Sequence, residues 1–260
     1  MKTAHRIAHL HTPMDTQPQS ARLRSSHRRS FLTAFLLTLA GLGLGLGALP
    51  SQAQVGPSSA EAAAYKGLHA AARRGDIAAI ERKAATRADL NARDGHGRTP
   101  IHVAAFARQR DAIRALAKAG AQLELLENDR YDAVTIASVA DDEETLRVLL
   151  SLGASARLTT SRYDGTALIA AAHLGHDGVV RQLIAASAPL DHVNNLHWTA
   201  VIESIVLGDG GRRHQAVLRA LIDAGANLRL SDRQGNTPLQ LARSRGHAQM
   251  ARMLEQAGAK

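Results

Sequence analysis

The groups in this 260-residue chain best equipped for chemistry are its histidines and a few short charged runs. His173-Leu174-Gly175-His176 has the outline of a metal pair. No acid at suitable spacing completes a zinc site, and the Gly-His pair recurs as Gly246-His247, so it reads as a turn in a repeated unit. His69 and His102 are expected to hydrogen-bond a neighbouring turn for the same reason. Asp141-Asp142-Glu143-Glu144 could hold a cation, but it also opens a helix, where carboxylates meet the positive end of the dipole, and a helix start is expected there. Ser, His and Asp all occur, yet no strand-turn-helix nucleophile elbow and no paired-carboxylate segment accompanies them. Arg212 and Arg213 follow Gly210-Gly211 at a helix start, where a carboxylate or phosphate could be received. The glycines there lack the order and the Lys of a nucleotide loop. The absence of Cys excludes disulfides, thiolate metal sites and Cys nucleophiles. A chain without catalysis, metal or cofactor is expected.

Composition directs attention to packing instead. The chain is 45% hydrophobic but only 3% aromatic, so Ala, Leu, Ile and Val must build the interior, which favours close-packed helices. The net charge of +9 suggests nucleic acid until its location is examined. Residues 1–53 hold six of the 32 bases and one of the 23 acids, which leaves 26 bases against 22 acids in the remainder, an ordinary solubility charge of +4. No nucleic-acid partner is expected. That leading segment has the layout of a signal peptide: basic residues, an apolar run over 31–49, then Pro50-Ser51-Gln52-Ala53 with small residues where a peptidase reads. The expected cut falls after Ala53, and Arg28-Arg29-Ser30-Phe31-Leu32 is similar to the twin-arginine export signature. His5, His9 and His11 would be discarded with it. The alternative is an uncleaved inner-membrane anchor over residues 31–49, the only membrane attachment expected.

The rest of the chain repeats itself about every thirty-three residues. Asp94-Gly95-His96-Gly97-Arg98-Thr99-Pro100-Ile101-His102 and Asp232-Arg233-Gln234-Gly235-Asn236-Thr237-Pro238-Leu239 frame three weaker copies through Asp132-Ala133, Asp164-Gly165-Thr166-Ala167 and Trp198-Thr199-Ala200. Thr before Pro caps a helix and places Pro at its first position, where the missing N–H is no loss. Gly75, Gly175 and Gly246 can end that first helix in a left-handed turn. A second helix follows with apolar residues at helical spacing: Ile113 and Leu116; Leu146 and Leu149; Val179, Val180 and Leu183; Val217, Leu218 and Leu221. One such hairpin is too thin to bury its apolar face alone, so stacking is required. The fourth full copy is longer, with 26 residues from Thr199 to Gly225 against 21 from Thr99 to Gly120. Five residues are therefore inserted between its helices, and a flexible basic loop is expected there.

This wording closely resembles the ankyrin repeat over residues 60–260. The resemblance implies an all-α solenoid of about six stacked helical hairpins: a signal peptide over 1–53, then an ankyrin-repeat domain over 54–260. Within that domain a cap covers 60–93 and repeats cover about 94–126, 127–160, 161–193, 194–231 and 232–260. It also implies a monomer that holds another protein on its concave side, made of hairpin tips and first helices. On that surface the partner-binding residues expected are Arg98, Arg130, Tyr131, Arg162, Tyr163 and Trp198, joined by Arg212 and Arg213 of the insertion, with the copy bearing Trp198 as the main contact. The functional expectation is a non-catalytic scaffold outside the cytoplasm that supports a periplasmic partner, for example in stress response. The alternative is an immunity or inhibitor protein that occludes a toxic enzyme in the periplasm.

Overall fold

Thr99 shows how the units begin. Its backbone N–H donates to Nδ1 of His102 at 3.0 Å and its hydroxyl lies 2.8 Å from the same nitrogen, while Pro100 takes the first helical position. Thr237 repeats the arrangement with Gln240, and Thr166 and Thr199 cap with their hydroxyls alone. In the weak copy Asp132 stands in the Thr place and accepts from the N–H groups of Val134 and Thr135. Each cap satisfies N–H groups that a helix start leaves without an intrahelical partner.

The computed structural model describes residues 54–260. The leader, the cleavage site after Ala53, the twin-arginine pair and the alternative anchor over 31–49 lie outside the described residues. The first helices are α2 (Gly67–Arg74), α4 (Pro100–Phe106), α6 (Ala133–Val139), α8 (Ala167–Leu174), α10 (Ala200–Val206) and α12 (Pro238–Ser244). The second helices are α3 (Ile77–Ala85), α5 (Arg110–Lys118), α7 (Glu143–Ser151), α9 (Asp177–Ala185), α11 (Arg212–Asp223) and α13 (Ala248–Gln256). One short helix, α1 (Ser59–Ala64), precedes them. First helices pack on first helices in chain order and second on second, so six hairpins form one stack. A single continuous core runs through it, with Ile80, Ile113, Leu146, Leu183 and Leu218 fully buried and alanines such as Ala72, Ala112, Ala137, Ala172 and Ala242 where helices approach closely. Among the described residues there is no strand beyond an isolated bridge between Thr160 and Gly165, and no helix long and apolar enough to cross a membrane.

Gly75, Gly175 and Gly246 end their first helices with φ of 68°, 72° and 72°. The same corner is made by Arg108 and Asp141 at φ 55° and 52°, where a side chain has to tolerate the left-handed region. The insertion differs from the loop expected. Three of its five residues lengthen α11, which has 12 residues where α5, α7, α9 and α13 have 9. Only two lengthen the connection. Asp209 accepts from Gly211 N–H at 2.8 Å and meets His214 Nδ1 at 2.8 Å, while His214 Nε2 reaches the His173 carbonyl at 2.9 Å. The segment is thus tied down at its base.

Candidate protein-binding surface

Between consecutive hairpins the chain forms a finger. Each is closed by one backbone bond across its base: Asp94 N–H to Arg98 O, Glu127 to Tyr131, Thr160 to Gly165, Asn194 to Trp198 and Asp232 to Asn236, at 2.8–3.0 Å. The side chain at the base does further work in most of them. Asp94 accepts the N–H groups of His96 and Arg98, Asn194 those of Leu196 and Trp198, and Asp232 those of Gln234 and Asn236. This is the reason for the acid that precedes Thr-Pro. The fingers are also joined to one another: Asn128 N–H donates to His96 O, Ser161 to Arg130 O and Asn195 to Tyr163 O, at 2.9–3.0 Å. Arg233 continues the row by donating from its side chain to Asn195 O at 2.8 Å.

The third and fourth of these fingers differ from the rest in what they expose. The Thr160–Gly165 finger is one residue longer than its neighbours and presents Tyr163, which is 43% exposed. The next presents Leu196 at 38%, with Val193 at its base at 42%. Since Asn195 is bonded to Tyr163, these three apolar side chains belong to adjoining fingers. Polar groups surround them: Arg130 pairs with Asp164 at 2.7 Å, Arg162 approaches Asp129 at 4.0 Å, and His197 sits at φ 64°. An apolar centre with a polar rim is the anatomy of a protein interface.

The residues expected to bind a partner are therefore not all together. Arg130, Arg162 and Tyr163 lie on the finger edge and are accessible. Tyr131 and Trp198 are half-buried and pack against the core, so they form the wall behind it. Arg98 was expected on this surface and is not: it is 3% exposed, with Nε on Asp94 at 2.7 Å and NH2 on Glu61 at 2.6 Å. The helix α1 and the segment around it cover it. Arg212 and Arg213 also stand elsewhere, because the insertion follows α10 whereas Trp198 precedes it; the seven residues of α10 separate the two by about 10 Å. Arg213 is engaged with Asp141 at 2.7 Å and Asp177 at 3.7 Å, tying three units together rather than awaiting a ligand. The exposed Val193 and Leu196 were missed by sequence reasoning. The available signal was Leu196, an apolar residue at a finger place that is polar in the other copies (His96, Asp129, Gln234).

The remaining chemical candidates have internal partners. His102 is 1% exposed, with Nδ1 on Thr99 and Nε2 on the Tyr131 carbonyl at 3.1 Å, and burial pushes its pKa down to about 4. His176 meets the Ser138 carbonyl and His173 lies 3.5 Å from Glu203. Asp142 caps α7 through Thr145 and pairs with Arg110 at 3.0 Å; burial raises its pKa, but these bonds outweigh it and hold the carboxyl below the usual range. Among the described residues no three His, Asp or Glu side chains converge on a metal position.

The sequence pattern of the family described as "Ankyrin repeats (3 copies)" matches residues 68–160, 134–228 and 168–260, so the chain belongs to the ankyrin-repeat family. Its relatives include the ankyrin repeat protein YahD of Escherichia coli (strain K12), 35% identical over 190 residues, covering 73% of this chain and 94% of that protein. Among solved structures it is similar to an ankyrin repeat domain from Acinetobacter baumannii AYE, 41% identical with a TM-score of 0.70 over 74% of this chain and 98% of that one. It is also similar, at 26% identity and a TM-score of 0.58, to a chain in the complex of a predatory endopeptidase from Bdellovibrio bacteriovorus with an immunity protein; 74% of this chain and 98% of that one are covered. Ankyrin repeats mediate binding to other proteins, and proteins of this family are generally non-catalytic scaffolds.

Proposed function

We propose that this chain is a non-catalytic scaffold, exported from the cytoplasm, that holds a periplasmic protein against its finger edge, for example during stress. The observation that carries the reading is the patch of Tyr163, Val193 and Leu196 on adjoining fingers, rimmed by Arg130, Arg162 and His197. Aromatic and aliphatic side chains held exposed at such a centre dominate interface energies. The test is capture of the partner from periplasmic extract by the parent and by a Tyr163→Ala, Leu196→Asp variant. The variant should lose at least about tenfold in affinity, since each anchor contributes on the order of 1–2 kcal/mol, and should melt with the parent. Unchanged capture would move the site off the fingers. Export is tested by N-terminal sequencing of protein from intact cells, expected to begin near Gln54, and by replacing Arg28 and Arg29 with Lys.

A second reading has a specific observation behind it: the similar chain that comes from a complex of an endopeptidase with an immunity protein. On that reading the same surface blocks a toxic enzyme. Activity of the captured partner separates the two, because a scaffold leaves it intact or raises it, whereas an immunity protein abolishes it.

A further inference from the structure

We propose that the first-helix face of the first two units is a peptide-binding groove, filled here by the chain's own residues 54–65, and that a partner protein enters it with a segment of the same chemistry: a helical turn of small residues carrying one carboxylate. This rests on the binding reading above and extends it to a second contact. The path of the segment is fixed at both ends. Gly56 lies on Phe106 at the end of α4, so closely that a Cβ there would stand 3.1 Å from the ring. Glu61 lies at the other end of α4, where one oxygen accepts from Arg98 at 2.6 Å and from His96 at 2.8 Å. Tyr65 closes the run, its hydroxyl donating to Asp94 at 2.7 Å and its ring stacked on His69.

The underlying surface is built independently of this cover. The helix α1 has no buried residue of its own, yet Arg98 is 3% exposed, and Val103 and Ala70 are buried while standing apart from the continuous core. Arg98 keeps Asp94 on Nε, and Asp94 is itself held by two backbone N–H groups. When α1 lifts, the guanidinium therefore retains a counter-ion and its position, with NH2 aimed at the vacated place. A buried cation that lost its sole partner would resist such a release; this one does not.

The test uses the whole protein as isolated from cells and a synthetic peptide of residues 54–66, labelled at its N-terminus, as the probe. In the parent the tethered segment competes at roughly millimolar effective concentration, and the peptide binds weakly. In a Glu61→Gln chain the tethered copy loses its ion pairs, and the peptide should bind at least about tenfold tighter; a peptide carrying Gln in place of that Glu should lose the gain. Equal binding by the two peptides, or no gain in the Glu61→Gln chain, overturns the proposal. Hydrogen exchange provides a second reading without any variant. Amides of 60–65 should exchange at least about a hundredfold faster than those of α8, and equal protection would show a fixed element rather than a displaceable one. Neither measurement needs the natural partner, so they fail separately from the finger-edge reading.

Discussion

Acidification should weaken the stack through one ring, that of His102. Its Nδ1 accepts the Thr99 N–H at 3.0 Å and its Nε2–H donates to the Tyr131 carbonyl at 3.1 Å. A second proton would have to enter on Nδ1, against an N–H that already points there. Burial is the main reason its pKa falls to about 4 from the ordinary 6.5, with the carbonyls of Tyr131 and Leu125 working the other way. The unfolded chain therefore takes up a proton near pH 6.5 that the folded chain accepts only near 4. Stability from this site is complete above 6.5 and is lost as pH falls towards 4. The gap of about 2.5 pH units, at about 1.36 kcal/mol each, makes that loss about 3 kcal/mol, of which about 2 kcal/mol has gone by pH 5. Glu61 and Asp94, both held down to about 2, lose their contributions only below their ordinary values of 4.5 and 3.8. Asp132 is pushed up by burial and opposes the trend, so the measurement has to be a difference. The comparison is with His102→Gln, because the last unit already uses Gln240 at this place, its Oε1 accepting from Thr237 N–H at 2.8 Å. Urea unfolding at pH 7.5 and pH 5 should show the parent losing about 2 kcal/mol more than the variant. Equal losses would refute the reasoning.

Ser187 makes a left-handed corner at φ 61° where the neighbouring units use Gly120, Gly153 and Gly225, so Ser187→Gly should raise stability by about 0.5 kcal/mol, read as a shift in urea midpoint. Arg213→Ala removes a half-exposed ion pair and should cost less than about 1 kcal/mol, a difference that disappears in high salt. Removing the last unit from Asp232 uncovers the apolar face that includes Leu218 and Leu221, and the shortened chain should melt earlier and bind a hydrophobic dye; an unchanged melting curve would argue against cooperative stacking.

The hairpins were legible because Thr99-Pro100 and Thr237-Pro238 carry their helix starts in the residue types themselves, and because the apolar spacing of α5, α7, α9 and α11 leaves one face to bury. The finger acid is visible as a recurrence, but its reason, accepting two backbone N–H groups, exists only once the finger has folded back on itself. The repeat places Arg98 among the tips because its partner Glu61, 37 residues upstream, falls at the start of the cap, ahead of the wording that the copies share. The glycines of the insertion, Gly208, Gly210 and Gly211, predict a loop. Yet Arg212-Arg213-His214-Gln215-Ala216-Val217-Leu218 is made largely of good helix formers, and that propensity carried α11 backwards by a turn. Tyr163 was legible as a finger residue; its prominence came from the extra residue in its finger, which the alignment on Thr166 concealed.

Three of the bonds that join the first four fingers run from backbone to backbone, through the N–H groups of Asn128, Ser161 and Asn195. Such a seam does not depend on which side chains the tips carry, so an ancestral sequence could exchange Tyr163 or Leu196 for another residue without loosening the row. Specificity for a partner and integrity of the scaffold are then inherited separately, and new recognition can arise by drift at the tips alone. The fifth finger lacks that freedom. Its link to Asn195 is the Arg233 guanidinium, so variation should accumulate along the row and stop at this residue.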